Sequence, residues 1–211
     1  LVRKIDVYIS LDHETDGPCA GLNNLLTFGA AAFTEEGELI EKKFYERITP
    51  LPYLAPNPDT MVWWRTQESG AYVEAFDTNL PGRLGPEPRK LRTTAFDAML
   101  NFTAWLNWIK SEYGASRFIP LGWPAVFDFS FTNYYCHKFL GQNPLGYACL
   151  DIRSYIMGVF RKDGYYIMKE EEINKLLGEE YKSGLQEHFA LDDAIRQGKL
   201  FFMVKNHHFN E

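Results

Sequence analysis

Ile5, Val7, Ile9 and Leu11 are apolar, while Asp6, Tyr8, Ser10, Asp12 and Glu14 take the alternate positions. That period of two predicts a strand, closed by the turn signal Asp16-Gly17-Pro18. Leu25–Phe33 and residues 39–48 read as two more strands on either side of Glu35-Glu36-Gly37. Links this short suggest an antiparallel start to a sheet. The proline-rich stretch 50–58 predicts a loop, and Asp59 or Thr60 a cap for a helix through Trp63, Trp64 and Gln67 towards Phe76. A second Pro/Gly loop follows over 79–88. Thr93 or Thr94 then precedes Phe96, Met99, Leu100, Phe102, Trp105, Leu106 and Ile109, whose spacings of three and four mark a buried helical stripe.

Beyond it, Arg117–Gly122 reads as a short strand ending at Trp123-Pro124, with Asp128 near the start of a helix through Phe131, Tyr134, Tyr135 and Phe139. Residues 147–150 suggest a fifth strand, with Asp151 opening a helix through Tyr155. Residues 161–184 are polar and partly helical, and a last helix is expected from about His188 to Arg196. Strands first, then strands alternating with helices, give an α/β fold: a mixed five-stranded sheet with helices on both faces.

With 211 residues, 45% of them hydrophobic, the chain can bury one sizeable core. The expectation is a single domain over residues 1–211, with a polar tail at 205–211 that holds His207 and His208. No run of about 18 apolar residues suggests a membrane span. No unbroken apolar stretch follows Arg3 and Lys4, so the reading is cytoplasmic. Cys19, Cys136 and Cys149 form no metal pattern and are expected as buried small hydrophobes. A formal charge of −6 disfavours a duplex binder that relies on many phosphate contacts. It does not exclude a nuclease, because carboxylates gathered around a cation are neutralised locally.

The densest polar feature is Asp12-His13-Glu14-Thr15-Asp16. On a strand, Asp12 and Glu14 share a face and His13 points the other way. Two carboxylates so close repel unless protonated, well exposed or bound to a cation, and a hard divalent ion takes such oxygen ligands. A solvated strand end is the alternative. Asp128 follows the strand at 117–122, where it could cap a helix or face a ligand beyond the strand ends. The third cluster is His188-Phe189-Ala190-Leu191-Asp192-Asp193. A neutral imidazole there could take a proton from water. Helical spacing favours Asp192 as its partner, whereas Asp193 converges with it only if His188 lies at or before the helix start.

Asp12-His13-Glu14-Thr15, Phe127-Asp128 and the segment from His188 to Asp193 resemble the three ordered motifs of the DEDD exonuclease superfamily, in its histidine-bearing branch. The resemblance implies an RNase H-like fold and two divalent cations, Mg²⁺ or Mn²⁺, held by Asp12, Glu14, Asp128 and Asp193. It assigns His188 as general base, and implies a metal-dependent 3′–5′ exonuclease that releases nucleoside 5′-monophosphates. Many such enzymes are dimers, so a homodimer is among its implications. The segment from Asp59 to Gln67 is similar to one in mycobacterial-type 3′–5′ exoribonucleases, which favours an RNA 3′ end over a DNA one.

For substrate binding, Trp63 or Trp64 could stack on the terminal base, with the other in the core. The backbone of Asp16 and Gly17 could approach the terminal nucleotide. Arg83, Arg89, Lys90 and Arg92 form a loose basic group able to attract phosphates. Asp151 is read as a helix cap outside the metal set. The rival readings are a DNA exonuclease, a dinucleotide phosphodiesterase and, outside enzymes, an inactive nucleic-acid-binding module.

Overall fold

A computed structural model of the protein describes residues 4–67, 70–76, 91–162, 164, 170–178 and 180–209. Its elements in chain order are β1 (Asp6–Thr15), β2 (Leu25–Phe33), β3 (Phe44–Arg47), α1 (Pro58–Arg65), α2 (Ala71–Phe76), α3 (Ala95–Tyr113), β4 (Arg117–Gly122), α4 (Ala125–Leu140), β5 (Leu150–Asp151), α5 (Ile152–Val159), α6 (Glu170–Leu177) and α7 (Ala190–Phe209). The strands form one mixed sheet in the order β3-β2-β1-β4-β5. β1 runs antiparallel to β2 and parallel to β4, so the predicted architecture holds.

The alternation along β1 sorts its residues between two layers. Val7, Ile9 and Leu11 enter the core with Phe102, Leu106 and Ile109 of α3 and Phe131 and Tyr135 of α4. On the other face, Tyr8 packs against Phe201 and Phe202 of α7. Both faces are therefore covered, which is why every residue of β2 is buried and its sequence reads as an apolar run without alternation.

Two glycines set how closely α7 lies on the sheet. A Cβ on Gly29 of β2 would stand 2.2 Å from the carbonyl of Ala190, and one on Gly198 of α7 would stand 2.1 Å from the Phe33 ring. Contacts that short are impossible, so the first turn of α7 rests on a strand position without a side chain.

Several predicted boundaries move. Of the strand expected over 39–48, only Phe44–Arg47 forms one, with Leu39 touching Phe33 through an isolated bridge. Exposed Glu41, Lys42 and Lys43 interrupt it at the sheet edge. The helix expected from 59 to 76 is two, divided at Gly70 with φ +77. Its cap is Asn57, whose side chain accepts from the Thr60 amide, with Pro58 at the first turn. The fifth strand is only Leu150–Asp151. The last helix runs on to Phe209, taking in most of the expected tail, because Leu200, Phe201, Phe202 and Val204 continue its buried stripe. Among the cysteines, Cys136 is buried, Cys149 half-buried and Cys19 exposed, the last contrary to expectation. The loop predicted over 79–88 and Arg83, Arg89 and Lys90 lie outside the described residues. Among the described residues, no helix is long and apolar enough to cross a membrane.

Gly29 and Gly158 supply a direct comparison. Nothing lies within 4 Å of the Cβ that Gly158 of α5 would gain. Gly29→Ala is expected to cost about 1–3 kcal/mol by overpacking, and Gly158→Ala to gain up to about 1 kcal/mol from helix propensity. Thermal denaturation of the two variants checks this, and equal melting temperatures would contradict the close packing of α7 on β2.

Candidate active site

The carboxyl end of β1 carries the acids, and three other elements converge on it. The register pairs Asp12 with Gly29 and Glu14 with Thr27, so both carboxylates lie on the α7 face. Gln197, on the second turn of α7, donates through Nε2 to Asp12 Oδ1 at 2.6 Å. Asp193, one turn earlier, is ion-paired with Arg196 at 2.9 Å. Glu14, His188 and Asp193 each offer a ligand atom within 4.8 Å of the others.

His188 precedes α7 with φ +62, a left-handed conformation uncommon for a residue with a side chain. The two acids of the first helical turn hold the segment that carries it. Asp193 Oδ2 accepts from the His188 amide at 2.8 Å, and Asp192 Oδ2 from the Gln186 amide at 3.0 Å. Because His188 stands before the helix start, Asp193 meets it, and the i+4 argument for Asp192 does not apply.

Asp128 arrives from the opposite face. It lies in the first turn of α4 and is buried, and Pro124, not Asp128, occupies the cap position. Its Oδ1 accepts from the His13 amide at 3.1 Å and lies 3.4 Å from His13 Nδ1. The His13 ring stacks on Phe28 at 4.4 Å, and its Nε2 pairs with Thr132 Oγ1 at 3.0 Å. His13 does point away from Asp12 and Glu14, as the strand period requires, and there it holds the third acid. Asp151 caps α5 through the Ser154 amide at 2.7 Å and accepts from the Ala125 amide at 2.9 Å, tying the starts of α4 and α5 together.

The electrostatics are those of a crowded anionic site. Burial, and then the negative charges of Asp128, Asp193 and Glu14, push the Asp12 carboxyl well above its ordinary range. Glu14 is raised well above its range by burial, then by Asp193 and Asp128. Burial raises Asp128 against the hydrogen bonds from His13. Asp193 is pushed up to about 7 by burial, against the pull of Arg196. Four carboxylates, Asp12 half-buried and the other three buried, supply hard oxygen donors whose charge the protein leaves largely uncompensated, a donor set that fits hard divalent cations. Burial lowers the His188 imidazole below its usual value, so at neutral pH it is an uncharged proton acceptor.

Two cavities flank the acids. One, about 300 Å³, is bordered by Asp12, His188 and Asp193 and by Trp123, Arg153 and Arg196. The other, about 200 Å³, runs from Glu14 past Gly17 to Thr60, Trp63 and Phe127. The tandem tryptophans divide as helical facing demands. Trp64 is buried and donates its indole N–H to the Thr15 carbonyl at 2.9 Å. Trp63 is 43% exposed, its ring edge-on to His188 at 5.1 Å. The Asp16 carboxylate is spent on Asn24, accepting from its amide at 2.6 Å and its side chain at 2.7 Å. Gly17 is small because the Asn23 side chain fills the place of a Cβ. Half-buried Arg92 donates to the Ile48 carbonyl at 2.7 Å, so it ties loops together and does not serve as a phosphate lure.

His13, Arg196 and Gln197 also belong to the site, though no motif in the sequence marks them. Arg196 and Gln197 stand three and four residues after Asp193, the spacing that puts them on its helix face, so a signal was present. His13 had none, since its partner lies 115 residues away.

One test follows from the charge crowding. A carboxyl with a raised folded-state pKa contributes stability that is lost as pH rises through that pKa. For Asp193 the window runs from the ordinary carboxylate range to about 7. In chelator, the protein should melt lower at pH 8 than at pH 5.5. Asp12→Asn, which keeps an acceptor for Gln197, should raise the melting temperature at pH 8 by a few degrees, on the order of 2–4 °C per kcal/mol. Added Mg²⁺ should lift the wild type more than the variant. Identical responses of the two proteins to Mg²⁺ would argue against a cation at Asp12.

The chain is similar to known proteins in sequence and in fold. Residues 7–204 match the model of the 3′–5′ exoribonuclease Rv2179c-like domain. The 3′–5′ DNA exonuclease Cap18 of Escherichia coli is 30% identical over 199 residues, 94% of this chain and 91% of that protein. The nuclease domain of 3′hExo, a DEDDh family member solved with rAMP, matches in fold with a TM-score of 0.64 at 15% identity, covering 96% of this chain and 93% of that one. E. coli exonuclease I, solved with a dA16 oligonucleotide, matches with a TM-score of 0.59 at 15% identity, covering 99% of this chain and 42% of that one.

Proposed function

The chain belongs to the 3′–5′ exoribonuclease Rv2179c-like family and is a 3′–5′ exonuclease; from that premise we propose that it works as a DEDDh-type enzyme and shortens single-stranded RNA from the 3′ end, one nucleoside 5′-monophosphate at a time. The observation that carries the reading is the meeting of Glu14, Asp193 and a neutral His188 within 4.8 Å, with Asp12 and Asp128 acting electrostatically on the same cluster. RNA is supported by the family description and by the segment around Trp63 and Trp64. A second reading, DNA as the polymer, is favoured by the similarity to Cap18, a DNA exonuclease.

Asp12, Glu14, Asp128 and Asp193 would hold two divalent cations, which when bound neutralise charge on the scissile phosphate and acidify water. The other roles fall to the chain. His188 takes the proton of the attacking water as its oxygen bonds to phosphorus, and the P–O3′ bond breaks. Arg196 and the His188 amide fix Asp193, Gln197 fixes Asp12, and His13 fixes Asp128, so these three acids are oriented before the reaction. Trp63 forms the open wall for the terminal base, a stacking contact worth about 1–3 kcal/mol that tolerates any base. Trp64, with its N–H engaged, supports that wall from behind.

A 5′-labelled RNA strand with Mg²⁺ or Mn²⁺ should shorten stepwise, yield mononucleotides and be protected by chelator. Endonucleolytic fragments would refute the reading, and matched DNA strands decide between the polymers. His188→Ala should fold normally and react roughly 10²–10⁴-fold more slowly. In the wild type, activity should fall on acidification with a midpoint below the ordinary imidazole value of about 6.5, because burial depresses His188. The residual rate of His188→Ala should lack that limb, and its persistence there would assign the limb to another group. Trp63→Ala should raise KM more than it lowers kcat, as steady-state kinetics on short strands can measure.

A further inference from the structure

The two cavities beside the acids differ in chemistry, and the difference bears on strand polarity. The Glu14 side offers the Trp63 and Phe127 rings and the Thr60 hydroxyl, and among the described residues no lysine or arginine lines it. The Asp12 side, larger at about 300 Å³, is lined by Arg153 and Arg196. Arg196 is paired there with Asp193 at 2.9 Å and Glu187 at 3.3 Å. Arg153 comes from the first turn of α5 and lies with its guanidinium 5.3 Å from the centroid of the Trp123 ring.

We propose that the Arg153 side of the site binds the phosphate one linkage 5′ of the scissile one, with the Arg153 guanidinium as its partner. The inference rests on the exonuclease reading above and adds the direction in which a strand crosses the site. A terminal nucleoside ends in an uncharged 3′-hydroxyl, so its pocket needs no cation. Every nucleotide on the 5′ side brings a further negative charge, which a cation in the cavity it crosses attracts. A guanidinium suits this role, because it stays charged and presents a planar fork of donors to phosphate oxygens. The contact with the Trp123 ring helps to orient that fork before the strand arrives. Trp123 is in turn fixed between the end of β4 and the start of α4, the element that delivers Asp128. Strand polarity is thus written as a charge asymmetry: an aromatic cavity lined by no lysine or arginine among the described residues for the end, and an arginine-bearing one for the chain that continues.

The test is a cycle of two changes. In an otherwise all-phosphate short strand, the linkage one step 5′ of the scissile bond is replaced by a neutral methylphosphonate, and kcat/KM for removal of the last nucleotide is measured with wild type, Arg153→Met and Arg153→Lys. The wild type should lose roughly 10- to 100-fold on neutralisation, chiefly through KM, as befits a hydrogen bond to a charged group. Arg153→Met should lose about as much on the all-phosphate strand and show no further penalty with methylphosphonate. Arg153→Lys, which keeps the charge without the fork, should retain part of the penalty. A merely structural Arg153 would slow both strands by one factor and leave the methylphosphonate penalty intact, and that result overturns the proposal. So does a wild type indifferent to the neutral linkage. A wild type unable to shorten even the all-phosphate strand would instead remove the exonuclease reading itself.

Discussion

Asp12, Glu14, Asp128 and Asp193, carboxylates whose charges act on one another at the end of β1, are the constraint to which the rest of the molecule answers. Burial is the first cause of the raised pKa of each, and for Asp12 and Glu14 their neighbours' charges come next. Such a cluster opposes folding of the empty protein, so it must be held by elements anchored elsewhere. β1 is anchored as the central strand, α4 by its packing on α3, and α7 by the aromatic layer around Tyr8, Phe201 and Phe202. Three of the acids also have a partner that does not belong to the cluster: Gln197 for Asp12, His13 for Asp128 and Arg196 for Asp193. These contacts fix orientation more than they relieve charge, since only Arg196 is a permanent cation. The remaining charge is what cations would balance.

The sheet supplies the precision. Gly29 and Gly198 let α7 approach β2 to backbone contact, and the first turn of α7 then brings Asp193 and the preceding His188 over Glu14. The positive φ of His188 belongs to the same arrangement, because it turns the chain into the helix while the side chain stays over the strand end. Asp192 and Asp193 each bond an amide upstream of the helix, so two neighbouring acids do different work from a single turn. Asp192 holds the loop, and Asp193 holds the loop and joins the cluster.

Much of this was legible in the chain. The strands at the centre of the sheet showed their period or their apolar run, and the ordered acids indicated the site. What escaped notice depended on distance in sequence or on the absence of a side chain. Gly29 looks ordinary in an apolar segment until Ala190 is placed above it. His13 looked like the idle residue of its motif until Asp128 came within hydrogen-bond range. Asp192 seemed the better partner for His188 because helical spacing was applied to a residue that precedes the helix. The short third strand and the divided α1–α2 helix turned on exposed charges and on Gly70, features a hydrophobic pattern weighs too lightly.

The indole bond from Trp64 to the Thr15 carbonyl has a consequence for recognition. Thr15 is the last residue of β1, one position beyond Glu14, and Trp64 belongs to the small core formed with Leu26, Ala71 and Ala75. The wall facing Glu14 is therefore continuous with the interior, and the backbone that carries Trp63, on the same short helix, is anchored through its neighbour. A cleft of this kind receives its ligand with dimensions already fixed at folding. On the proposed reading, its tolerance for bulky or modified 3′ ends is bounded by the space between Trp63 and Glu14.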